Sequence, residues 1–499
     1  MRAPIATPAR GFARIPAILA LALVAWATSL PASAAIGYEG ARHLLNRTGF
    51  GATDGEIAAS AGLARGEAVE RILAMARTEA SVAAPAFVNE SFVPYYKLRG
   101  QDEAQRKATQ QMNVEQGFEL REWWLREIVL TPSPLTERMT IFWHNHFATS
   151  QQKVKSAKLI HSQNVLLRSQ ALGNFATLLH AVSKDPAMLV YLDNANSRRQ
   201  APNENFAREV MELFTLGEGH YAEGDIKEAA RAFTGWSIDR DTGRFVNRPF
   251  FHDAGTKTVL GKSGRFGGDD VLDILLARRE TAEFVTRKLW REFVSPEPDE
   301  AQVKRLAGVF RDARYEVKPL LRALLLSDAF WAPENRATLI KSPVELVAGT
   351  LRTLDIHPMN LRPAVVASAL LGQNLMSPPN VKGWPGGEAW ITSATLLGRK
   401  QFLERLFRGN APMAAPEMVA VGDEMKGEAG GPEARARRMM ERGLQAYAFD
   451  WWRWSRTLQR GSSVEALMLA TAAVNPVPPG TDGAELVRFL ASDPAYQLK

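Results

Sequence analysis

Cysteine is absent from the 499 residues. That excludes disulfides, thiolate metal sites, haem attachment through C-x-x-C-H and a cysteine nucleophile, so stability must come from packing. Nucleotide fingerprints are missing as well. There is no G-x-x-x-x-G-K-[ST] loop, and no dinucleotide-binding glycine motif follows a strand-like run. No G-x-S-x-G elbow and no H-E-x-x-H helix occurs. Dense Lys/Arg tracts interleaved with aromatics are lacking, which argues against nucleic acid as a partner. Period-two apolar runs are few, and no internal repeat of fixed period is seen.

What is present begins with a targeting segment. Arg2, Arg10 and Arg14 precede an apolar run from Ile15 to Leu30, and Ala32-Ser33-Ala34 supplies the small residues of a cleavage site. The run falls short of the roughly 20 residues that a bilayer span takes. The expectation is a signal peptide over residues 1–34, cleaved after Ala34, a periplasmic or extracellular location and no stable membrane span afterwards. The segment has no twin arginine, which favours export of an unfolded chain, so any metal would be acquired outside. ATP and reduced nicotinamide are scarce there, in line with the missing fingerprints. The formal charge of +7 drops to +4 when the three arginines are lost, a weak field for this length. The 46% hydrophobic content is ordinary for a folded protein with a sizeable core.

The patterning is mainly α. Residues 65–78 place Ala68, Ile72, Leu73 and Met75 on one side, and residues 281–293 do so with Ala282, Val285, Leu289 and Phe293. Asp185 before Pro186 predicts a capped helix start, as do Ser342, Pro343 and Glu345. Asp225 and Glu228 repeat that cap-and-box spacing. Residues 244–251 read as a short hairpin arm, and 83–115 as a polar, partly irregular tract. The expected organisation is a large helical domain over 35–408, a loop or linker over 409–435, and a helical segment over 436–499 that packs back on the main domain.

Four clusters could carry chemistry. In FWHNHFATS (142–150), His144 and His146 lie about 200° apart on a helix, so they share one ion only if the helix ends or bends at Asn145. Buried hydrogen bonds beside Trp143 and Phe147 are the alternative. In APNENFAREVMELFTLGEGHY (201–221), Asn203 predicts a cap and Gly217 a stop. Phe206, Val210, Leu213 and Phe214 form the core face there. Glu209 and Glu212 fall on an adjacent stripe, and His220 follows the helix end. Two carboxylates beside a core face must be solvated, paired or metal-bound. Arg208 and Arg231 are the candidate pairing partners. In FHDAGTKTVLG (251–261), His252 and Asp253 suit metal binding, acid–base work or a turn. In SPPNVKGWPGGEAWI (377–391), Asn380, Lys382, Trp384 and Trp390 suit sugar binding, or the tryptophans plug the core.

HLLNRTGFGAT (43–53), SRRQAPNENFAREVMELFTLGEGHY (197–221), EAARAFTGW (228–236), KSPVELVAGTLRTL (341–354) and PPNVKGWPGGEAWI (378–391), with FWHNHFATS and FHDAGTKTVLG, form successive blocks. In this order they resemble the family named domain of unknown function 1800, over roughly residues 40–408 and again in the last segment. The resemblance implies a large exported bacterial protein whose gene often neighbours that of a secreted sulfatase-like or phosphatase-like protein. That neighbour is a possible partner. The resemblance implies no agreed reaction and supplies no catalytic residues.

Three functions are consistent with these residues. The first is a metal-dependent enzyme, hydrolytic or oxidative, acting on an envelope or extracellular polymer. Its divalent zinc, iron or manganese would be held by His144, His146, His220, His252 and Asp253, with Glu209 or Glu212 as general base. The second is a non-catalytic polysaccharide-binding protein built on the 377–391 loop. The third is an accessory subunit of the secreted sulfatase-like neighbour.

Overall fold

The computed structural model describes residues 34–93, 97, 99–408, 440 and 442–499. The apolar run of the expected signal peptide and the expected 409–435 linker lie outside the described residues. Helices dominate. Among the described residues, strand is confined to two antiparallel hairpins. In one, β1 (Trp236–Ile238) pairs with β2 (Phe245–Asn247), Ser237 opposite Val246. In the other, β3 (Lys257–Val259) pairs with β4 (Lys262–Gly264).

The helices needed to position the site are few. They are α1 (Gly37–Thr48), α2 (Glu103–Leu130), α3 (Pro134–His146), α4 (Ala157–Ser169), α5 (Pro186–Tyr191) and α6 (Glu204–Glu209). Further along come α7 (Glu223–Ala232), α8 (Arg279–Phe293), α9 (Pro343–Thr353), α10 (Ser393–Arg408) and α11 (Gly483–Ser492). Their starts follow local chemistry. Asp185 accepts a hydrogen bond from the Met188 amide and precedes Pro186 at the first position of α5. Ser342 and Glu345 close a capping box on α9. On α7 the box sits three residues earlier than the spacing predicts: Ala222 is the cap, and Asp225 reaches back to its amide.

Apolar periodicity then decides the packing. Ala282, Val285, Leu289 and Phe293 of α8 are all fully buried, as the spacing predicts. In the earlier helix, Arg65–Ala74, Val69 joins Ala68 and Leu73 in the core. Met75 falls past the helix end and stays 44% exposed. The tract 83–115 is partly irregular, as expected: α2 begins only at Glu103. Its first half buries nothing: inward-facing residues start only at Gly117. Half of a 28-residue helix therefore stands as a wall beside the body. At the far end of the chain, α11 packs on α10, and Leu498 bridges to Ile340.

One buried charge network ties distant segments together. Arg138 on α3 pairs with Glu292 on α8 at 2.7 Å and also with Glu345 on α9. Lys499 reaches the same Glu345 oxygen. Arg138, Glu345 and Lys499 are each nearly sealed from solvent. Charges taken this far out of water are tolerable only when paired and hydrogen-bonded, and here each is.

Candidate functional site

The helix α3 neither ends nor bends at Asn145; it runs through His146. The two histidines therefore face different surroundings. His144 Nε2 is 3.0 Å from the Asn164 amide, and its ring lies against Trp124. Asn164 continues into Arg168, and Arg168 into Glu137, which also accepts from the Trp124 indole. Burial and the nearby Arg168 push the His144 pKa down to about 3, so the ring is neutral. His146 Nε2 donates to the Phe214 carbonyl at 3.1 Å, and its Nδ1 accepts from Lys288 at 3.1 Å. Burial first, and Lys288 second, hold its pKa well below the usual value. Both ring nitrogens of His146 are thus occupied by the protein.

The other expected ligands lie apart. His220 is exposed beyond the helix end. His252 Nδ1 donates to the Thr234 carbonyl at 2.9 Å. Asp253 accepts from Arg231 Nε at 2.8 Å and from the Gly255 amide at 2.8 Å, a salt bridge and a turn in one side chain. Arg231 holds the Asp253 pKa down to about 2. Among the described residues, no three His, Cys, Asp or Glu side chains are grouped to hold a metal ion. The histidines and Asp253 are not brought together, and this donor set does not fit a zinc, iron or manganese cage.

The structure does bring the carboxylates, Asn145 and the 377–391 loop together. Asn203 caps α6 as the sequence predicts. Directly after α6 the chain winds into a π-helix, Val210–Thr215. That wider turn breaks the 3.6-residue count, so Met211 is buried and Leu213 is only partly so. Such turns are uncommon and recur at functional sites. Glu209 stands at its start and Glu212 inside it.

Neither glutamate takes the arginine the sequence offered. Arg208 points to Glu223 with two bonds of 2.8 Å. Arg231 is spent on Glu228 and Asp253. Glu212 instead accepts from the Tyr221 hydroxyl at 2.5 Å. Glu209 is 8% exposed; among the described residues no protein hydrogen bond reaches its carboxylate, whose oxygens stay in touch with solvent. Its pKa is raised by burial first and by the negative charge of Glu212 second, against weaker pulls from Lys382 and Arg208. A largely buried carboxyl next to a second carboxylate holds its proton more tightly than a free one and is suited to carrying it.

The 377–391 loop comes near this pair, where the charge of Lys382 acts on Glu209. The Asn380 side chain accepts from the Lys382 amide, a tight turn that delivers Lys382 to Glu218 at 3.4 Å. Gly383 follows in the left-handed region, and the Trp384 amide donates to Asn145 Oδ1 at 2.6 Å. A Cβ on Gly383 would fall on the Asn145 amide and within 2.6 Å of its carbonyl oxygen. Gly383→Ala should cost about 1–2 kcal/mol for the backbone alone. It should also detach Asn145 from the loop; a thermal melt equal to wild type would contradict this. Trp384 and Trp390 are buried, 4% and 5% exposed, so little of either ring faces solvent. Asn145, Tyr221 and Gly383 had no assigned role in the sequence, because their partners are not near neighbours in the chain or, for Tyr221, lie across a π turn.

The class defined by this architecture is a mainly helical protein with two carboxylates at the start of and within a π-helix, near a glycine-rich loop. The chain belongs to the family described as "Protein of unknown function (DUF1800)", whose model matches residues 43–498. No curated protein and no solved structure matches the chain.

Proposed function

We propose that the protein is an exported acid–base hydrolase that cleaves glycosidic bonds in an envelope or extracellular polymer. Glu209, protonated, gives its proton to the leaving oxygen as the carbon–oxygen bond breaks. Glu212, ionised, takes a proton from the water whose oxygen bonds to the carbon. The pair then resets by proton exchange with solvent. Two carboxyls with divergent environments are the recurrent apparatus for this reaction. The observation that carries the reading is the environment of Glu209: largely buried, with no protein partner for its carboxylate among the described residues, and raised in pKa by burial first and by Glu212 second. The Tyr221 hydroxyl, which donates to Glu212, fixes the position of that carboxyl beside Glu209.

The reading routes no step through a metal. Its test is reducing-end release from a panel of neutral and anionic polysaccharides, before and after chelator treatment. New reducing ends that persist after chelation are the expected result. Activity lost on chelation and restored by one cation would replace this mechanism with metal chemistry. No product from any glycan would remove the hydrolase reading.

A further inference from the structure

A cleft of about 1050 Å³ lies near the carboxylate pair, though neither glutamate lines it. Its wall is the exposed first half of α2, and its floor comes from the Gln151–Lys158 stretch, with Val190 and Ser377 at one end. That end adjoins the site. Tyr191, next to Val190, feels the charge of Glu209, and Lys153 of the cleft lies 5.6 Å from the Tyr191 ring centre. Ser377 begins the loop that carries Lys382.

The charge of the cleft is one-sided. Arg106, Arg121, Lys153, Lys155 and Lys158 line it against the single acid Glu90. Of these cations only Lys153 has a carboxylate partner among the described residues, Asp193 at 2.6 Å. Arg121 is held over the Phe118 ring and meets only the Asn374 amide oxygen, at 3.5 Å. Its Nε is buried with no partner. Burial and the nearby Arg362 lower its pKa to about 10, so it stays charged at neutral pH.

Two further groups have unfilled bonding capacity. Ser377 is 6% exposed and its hydroxyl has no partner. Gln151 is 8% exposed, and its Oε1 has none. Room for Gln151 is made by Gly117, where a Cβ would collide with the Gln151 amide. A mid-helix glycine costs roughly 1 kcal/mol, so the packing of that amide at the cleft floor offsets a real penalty. Buried polar groups without partners are uncommon in native structures and call for an explanation such as a ligand.

The remaining lining matches a sugar chain. Gln110, Asn113, Gln116 and Gln152 offer carboxamides suited to hydroxyl groups. Val93, Met112 and Val114 are 46%, 44% and 53% exposed, and all three line the cleft, where they can cover the apolar faces of pyranose rings. We infer that this cleft binds an anionic polysaccharide, its carboxylate or sulfate groups on the unpaired cations and its hydroxyls on the amides. That the bound glycan is also the substrate rests on the carboxylate reading above; that it binds here does not.

The test is binding of the full-length mature protein to four polymers: a polyuronate, dextran sulfate, neutral dextran and single-stranded DNA. The protein carries Glu209→Gln, so that nothing is cleaved. A companion variant adds Arg106→Gln and Lys155→Asn, both exposed positions, with Asn chosen because residue 155 has a left-handed backbone. The expected result is binding to the polyuronate, to dextran sulfate or to both, weakened by salt, and at least about tenfold weaker in the companion variant at an unchanged melting temperature. Preference between the two anionic polymers tells carboxylate from sulfate. Equal binding to neutral dextran, tighter binding to DNA than to either glycan, or no effect of the two cleft substitutions would overturn the inference. Binding as expected with no hydrolysis by the wild type would leave the cleft assignment standing and remove the catalytic one.

Discussion

Glu209→Gln is expected to lower polymer hydrolysis by about 10²–10⁴-fold, the range typical for loss of a general acid or base. Glutamine keeps the shape and removes only the proton. The same substitution should raise the melting temperature at neutral and higher pH, and the sign follows from linkage. The folded-state pKa of Glu209 lies above its ordinary value. Its contribution to stability is therefore fully present below the unfolded pKa and is lost as pH rises through the folded one. Above that window the ionised carboxylate is a cost that glutamine does not carry. Loss of activity with gain of stability marks a group held for function, whereas a structural ion pair would lose stability on the same change. Activity should also decline as pH rises through the Glu209 pKa.

Glu345→Gln is expected to destabilise the fold by about 3–5 kcal/mol, the cost of leaving buried charges without their partner. Among the described residues, Arg138 would then keep Glu292, which is 29% exposed, and Lys499 would lose its carboxylate partner. The substitution spares the capping box, since a glutamine oxygen can still accept from the Ser342 amide. The loss is thus electrostatic and not a failure of helix initiation. Its pH dependence is the reverse of that of Glu209. Despite burial, Arg138 and Lys499 hold the Glu345 pKa far below its ordinary value of 4.5. Its stabilisation is present above that value and is lost as pH falls through the folded-state pKa. Urea unfolding of both proteins should show a constant gap at neutral pH that narrows in acid. A gap under about 1 kcal/mol at pH 7 would mean the network is solvated like a surface pair.

What the sequence made legible was local. The caps at Asp185, Asn203 and Ser342 and the buried face of α8 are short-range rules acting within a few residues, and they emerge where expected. The hairpin arm was legible at 245–247, which pair with 236–238. The site was only half legible. Glu209 and Glu212 stand out as carboxylates beside a core face, but the π turn that carries Glu212 has no periodic signature. It moved Leu213 partly out of the core that simple helical spacing assigned it. Asn145 with Trp384, and Glu345 with Lys499, meet across more than a hundred positions, and nothing in either segment points to the other. Clustered histidines suggested ligands because imidazole so often binds metal. At His144 and His146 the ring nitrogens that have partners meet protein groups, which is visible only once the helix is known to continue past Asn145.

The central claim is that Glu209 and Glu212 form a coupled pair in which Glu212 helps to hold the Glu209 pKa above its ordinary value. Titration of the Glu209 carboxyl by isotope-edited infrared difference spectroscopy, in the wild type and in Glu212→Gln, tests it most directly. The account predicts a Glu209 pKa above the ordinary glutamate range that drops when Glu212 is neutralised. A Glu209 that titrates at the ordinary value and ignores Glu212 would contradict it.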